Sequence, residues 1–150
     1  MSHNFLCPNH RQWLATNPIA AHTHLRETQD TGQYYRDQGA WQQALPYLGC
    51  AYETAEIVMS QADRQTSSKV VDFTATAVLL ADTLQKLGQK TLSLAIYDQA
   101  QKRLKPELTL SYQQPKLQRC VIDCIKSLAL GAGFHQKFMH SQTNEEHALH

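Results

Sequence analysis

The 150 residues are 42% hydrophobic and 18% charged, with a formal net charge of +1. That is the make-up of a globular chain long enough to bury one core. A charge so near zero gives no overall field to draw in nucleic acid or an anionic membrane. The apolar run 75–81, interrupted by Thr76, is too short to cross a bilayer. MSHNFLCPNHRQ lacks a signal-peptide apolar stretch, so a cytoplasmic address is expected.

Low Gly and Pro counts, 6 and 5, and the near absence of alternating Val/Ile/Thr runs predict an all-α fold. Residues 1–16 read as a leader, loose to residue 9, with a short helical turn around Trp13 and Leu14. Asn17-Pro18 marks a helix start, because Asn caps free amides and Pro suits the first turn. A rather polar helix over 18–38 follows, with Ile19, Leu25, Tyr34 and Tyr35 as its large apolar groups.

After Gly39 a second helix carries Trp41, Ala44, Leu48, Tyr52 and Ala55 at three- and four-residue steps, one buried stripe. A polar break spans 61–68. The helix over 69–87 is apolar nearly all round and is placed at the centre. Gly88 ends it. Thr91 is read as the cap of a fourth helix, which Pro106 stops at Leu104. A fifth covers 115–130, and Gly131-Ala132-Gly133 reads as a break before a short piece with Phe134 and Phe138. The organisation expected is a leader over 1–16, one helical domain over 17–140 and a polar, disordered tail over 141–150.

One pattern repeats. Gly32, Tyr35, Gly39, Ala44, Leu48 and Ala51 are separated by 3, 4, 5, 4 and 3 residues, as are Ala81, Leu84, Gly88, Ser93, Tyr97 and Ala100. The order is small, large, Gly, small, large, small. Gly39 and Gly88 fall where a helix ends and reverses. The other small residues let paired antiparallel helices approach, and the large ones fill the space beside them.

This spacing resembles the tetratricopeptide repeat family over about residues 25–106. The offset from Gly39 to Gly88 is 49 residues, against 34 in the family. The excess of about 15 residues is about four helical turns, so the hairpins are elongated. Thr28 stands where the family often has Trp, and Pro46 and Gly49 lie unusually inside a helix. The resemblance implies antiparallel hairpins stacked as a short right-handed array, closed by a C-terminal capping helix.

It also implies a concave face that grips a protein segment. Carried over from the turn glycines, that groove takes Arg26, Gln29, Gln33, Arg36 and Asp37 from the first hairpin. The second supplies Ala75, Val78, Asp82, Gln85 and Lys86. Gln and Arg suit peptide backbone and carboxylates, although the same residues fit a plain solvated helix face. The Lys/Asn carboxylate clamp of some family members is not reproduced.

Four cysteines, Cys7, Cys50, Cys120 and Cys124, are scattered and read as reduced thiols. Cys7-x2-His10 is half of a zinc motif without its second half; Cys120 and Cys124, four apart and so on one helix face, could bind metal with Cys7 or a histidine, or simply fill a helix interface. No cofactor is expected. No nucleophile elbow, phosphate loop or HExxH helix is present, so the chain is not read as an enzyme. Lys102, Arg103 and Lys105 near a helix end offset its dipole, and no nucleic acid or membrane partner is expected.

The leading expectation is a non-enzymatic protein–protein interaction module: an adaptor, chaperone-like holder or regulatory domain. The alternatives are a self-associating homodimer using the region 117–138 and a metal-responsive sensor using Cys7, His10, Cys120 and Cys124.

Overall fold

The computed structural model describes residues 5–61 and 64–148, with side chains described as far as residue 133. Six helices follow in order: α1 (Pro8–Thr16), α2 (Pro18–Asp37), α3 (Trp41–Ser60), α4 (Ser67–Lys86), α5 (Lys90–Leu110) and α6 (Pro115–Ala148). No strand occurs among the described residues, and the fold is all-α.

The hairpins α2–α3 and α4–α5 are each closed by a glycine at positive φ, Gly39 at 71° and Gly88 at 77°. The two ends match bond for bond. Ala40 N donates to Tyr35 O at 2.9 Å and Gly39 N to Arg36 O at 2.9 Å. Gln89 N donates to Leu84 O at 2.8 Å and Gly88 N to Gln85 O at 3.0 Å. Each is the paired bonding of a Schellman C-cap, which satisfies carbonyls the helix leaves open.

Between the helices the small positions sit at closest approach. A Cβ on Gly32 would stand 2.6 Å from Leu48 Cδ2. Ser93 donates to the Ala81 carbonyl at 2.7 Å. Ala44, Ala51, Ala81, Ser93 and Ala100 are fully buried, with Leu48 and Tyr97 wedged beside them. The hairpins stack through α3 against α4, and α6 lies against both α4 and α5. Gly131 admits the Tyr97 ring, which would stand 2.7 Å from a Cβ there. So α6 covers the flank that Tyr97 and Leu104 would otherwise expose.

The centre is shared. Beside α4, with Val70, Phe73, Ala77 and Leu80 at 0% exposure, α3 is buried almost all round from Leu48 to Met59. Tyr52 stacks on Phe73 at 5.3 Å between ring centroids, joining the two.

Several local expectations are corrected. Residues 5–9 are not loose: Leu6 and Leu14 are buried and α1 packs on α2 and α3. Asn17 does not cap α2 with its side chain. Its Nδ2 donates backwards to Trp13 O at 2.7 Å and closes α1 instead. Thr91 lies inside α5, whose flanking residue is Gln89, and Pro106 does not end that helix. Beyond Pro106, buried Glu107 pairs with Arg103, and Gln118 Nε2 donates to Leu108 O at 3.0 Å. Those ties offset an interior proline, worth about 3 kcal/mol. Lastly, α6 runs through 131–133 without a break and takes in 141–148. The side chains of Phe134, Phe138, Glu145, Glu146 and His147, and all of residues 1–4 and 149–150, lie outside the described set.

Candidate functional site

The expected groove residues fall on α2 and α4, and the structure treats them unequally. Arg36 is a structural tie. Its Nη2 meets Asp82 Oδ2 at 2.8 Å, and its Nη1 donates to Thr83 Oγ1 at 2.8 Å and toward Leu79 O at 3.4 Å. The guanidinium also lies 5.2 Å from the Trp41 ring centre, on whose ring Lys86 Nζ stands at 5.7 Å. A planar fork bonded and stacked at once is what Arg supplies and Lys does not. These bonds tie α2 to α4 where the two helices end.

Arg26, Gln33 and Asp37 are exposed, Gln29 is half-buried, and Gln33 Nε2 donates to Asp37 Oδ1 at 2.7 Å. On α4, Ala75 is exposed, Val78 half-buried and Val71 48% exposed. Gln85 is half-buried, its Oε1 enclosed without a hydrogen-bond partner among the described residues. Arg26 and Lys86 are the exposed cations of the expected set, and Lys86 stands over the Trp41 ring.

A second constellation escaped the sequence reading. Glu53, 2% exposed in the middle of α3, collects the segment that precedes α1. Phe5 N donates to its Oε2 at 3.2 Å, Leu6 N to its Oε1 at 3.0 Å, and Arg11 pairs with Oε1. A buried carboxylate needs such partners to offset its lost hydration. One turn earlier, a Cβ on Gly49 would stand 2.2–2.3 Å from three atoms of the Phe5 ring. The glycine is the floor of a slot for that ring. The available signal was an acid inside an apolar helix, one turn after an interior glycine.

His24 binds the same region. Its Nδ1 lies 2.9 Å from Thr54 Oγ1, whose proton goes to Cys50 O at 2.7 Å. The neutral ring is therefore protonated at Nδ1. His10 meets it edge to face at 4.8 Å. Burial, then the His10 charge, lower the His24 pKa, while Glu27 opposes them.

The thiols do not converge. Cys7 is the exposed N-cap of α1, accepting from His10 N at 3.4 Å, whereas Cys120 lies near Ser67 O at 3.9 Å and Cys124 is buried. Burial raises the thiol pKa of Cys50 and of Cys124, which disfavours the thiolate that binds metal. Among the described residues no three His, Cys, Asp or Glu side chains are grouped to hold a metal. Ile125, expected on a self-association face, packs against the core. None of the helices, among the described residues, is long and apolar enough to cross a membrane.

Comparison with known proteins leaves this geometry to speak for itself: no family model, curated protein or solved structure matches the chain.

Proposed function

We propose that the chain is a non-enzymatic protein–protein interaction module, an adaptor, chaperone-like or regulatory domain. It holds a protein segment in the α2–α4 groove, in the manner of a tetratricopeptide-like array. The observation that carries this reading is the division of the groove. One end is tied by Arg36 with Asp82 and Thr83, and away from it α2 presents exposed Arg26 while α4 presents exposed Ala75 and Val71. A polar face on one helix and a small apolar face on the other would suit a segment offering carboxylate or backbone oxygen on one side and small apolar groups on the other.

Affinity capture from the native host tests the reading, with Arg26→Glu as control. Arg26 is exposed, so its reversal leaves the fold intact. A single stoichiometric protein retained by the wild type and lost by Arg26→Glu is the expected result. Equal capture by both proteins would remove the groove from consideration.

A further inference from the structure

The turn joining α5 to α6 holds its residues the wrong way round for a surface that faces only water. Ser111 is 1% exposed, while Leu110 and Tyr112 on either side of it are 71% and 67% exposed. A lone exposed leucine is ordinary. Here two large apolar side chains stand out at one turn, and the backbone fixes them there. Ser111 N donates to Glu107 O at 3.0 Å and Gln114 N to Ser111 O at 2.8 Å, and Gln118 Nε2 donates back to Leu108 O at 3.0 Å.

The fold also sorts the cations at this end of the molecule. Lys102 is taken by Asp98 at 2.9 Å, and Arg103 by Glu107 and Ser60. Lys105, Lys116 and Arg119 are exposed and take part in no ion pair among the described residues. Arg64, from the connection between α3 and α4, is a fourth such cation. It lines a cleft of about 640 Å³ together with Lys116, Thr66, Ser67 and Gln114. Over residues 61–70 and 102–120 the acids are Asp63, beside Arg64 in sequence, and Glu107, which is buried and already paired. The next acid along α6 is Asp123, one turn beyond Arg119.

We propose that this end of the molecule, the α5–α6 turn with the α3–α4 connection beside it, docks on an anionic lipid surface. The site is independent of the α2–α4 groove. Leu110 and Tyr112 enter the headgroup layer, and Lys105, Lys116, Arg119 and Arg64 meet the lipid phosphates and carboxylates. The cleft, of ordinary size for a small-molecule site, has room for one headgroup. Reversible attachment of a folded domain to a membrane takes two signals together, apolar insertion and a basic patch. Both occur at this one turn. Tyrosine suits the boundary, where its ring is in apolar surroundings and its hydroxyl stays wet. Single-stranded nucleic acid would meet the cations with phosphate and stack a base on Tyr112, but it offers no hydrocarbon to Leu110. The net charge of +1 conceals the patch because the compensating acids lie elsewhere in the chain.

The full chain is sedimented with vesicles of phosphatidylcholine alone, and with vesicles in which about one third of the lipid is phosphatidylserine. Binding to the anionic vesicles is expected, weakening as salt rises. Lys116→Glu/Arg119→Glu is expected to lower it by about tenfold or more, since each basic residue near an anionic surface counts for several-fold. Leu110→Ser/Tyr112→Ser is expected to lower it with every cation in place. All four side chains are exposed, so neither pair disturbs the core, which circular dichroism checks. Lys90→Glu/Lys126→Glu makes the same change in net charge away from the turn and is expected to bind as the wild type does. No binding, equal binding to both kinds of vesicle, or equal loss in that control overturns the proposal. So does binding that Leu110→Ser/Tyr112→Ser leaves unchanged and that polyglutamate or single-stranded DNA competes away, since the partner would then be a soluble polyanion.

Discussion

The Ser93 hydroxyl and the Ala81 carbonyl are joined by a buried 2.7 Å hydrogen bond where α4 and α5 come closest. Both residues are small-residue positions of the repeat, and the bond exists because neither side chain holds the helices apart. Removing the hydroxyl in Ser93→Ala costs about 1 kcal/mol, the usual worth of one internal hydrogen bond. Ser93→Leu is expected to cost more, about 1–3 kcal/mol, by overpacking. Urea unfolding checks both, with a lower midpoint at unchanged slope.

Glycines in similar surroundings by sequence respond oppositely. At Gly32 an alanine Cβ would press on Leu48 Cδ2 and Cγ, at 2.6 and 2.8 Å. The expected loss is about 1–3 kcal/mol, that of an overpacked core. Gly133 has nothing within 4 Å of its would-be Cβ and lies within α6. Gly133→Ala is expected to gain about 0.5–1 kcal/mol from helix propensity alone. Thermal unfolding that placed Gly133→Ala below the wild type would contradict a continuous α6.

These contrasts mark the limits of legibility. Gly39 and Gly88 could be read because a left-handed helix end leaves a local signature, and the six-position spacing made the helix hairpins visible. Gly131 looked like a break only because its partner, the Tyr97 ring, is remote in sequence. The hold of Glu53 on Phe5 and Leu6 was equally hidden, since its donors are backbone amides and carry no residue type. Pro106 misled for a related reason: packing around Glu107 continues a helix that propensity alone would end.

Arg36 belongs to the fold and Arg26 to the surface, a distinction that spacing alone did not draw. Arg36→Gln breaks charge-assisted bonds to Asp82 and Thr83 and the stacking on Trp41. A loss of about 1.5–3 kcal/mol is expected, as for hydrogen bonds to charged groups. Arg26→Gln is expected to stay within about 0.5 kcal/mol of the wild type. A double-mutant cycle between Arg36 and Asp82 measures their coupling. Additivity there would mean that α2 and α4 are tied at this end by something else.

The attachment of α1 is expected to weaken in mild acid through His24. Its pKa is lowered in the folded protein, first by burial and then by His10, from a model-peptide value of 6.5. A histidine whose folded value lies below its unfolded value binds its proton more readily when unfolded. Its contribution is therefore complete above the unfolded value and is lost as pH falls through the folded one. The Nδ1 proton already donates to Thr54, so the added proton enters at Nε2, in a half-buried ring beside His10. His24→Gln should flatten the pH dependence of stability in that window, and His10→Gln should do so partially. Denaturation series at pH 7.5 and just below 6 compare the three proteins, using the reference range for histidine titration. An unchanged slope in His24→Gln would place the acid sensitivity elsewhere, and an unchanged slope in His10→Gln alone would leave burial as the whole cause.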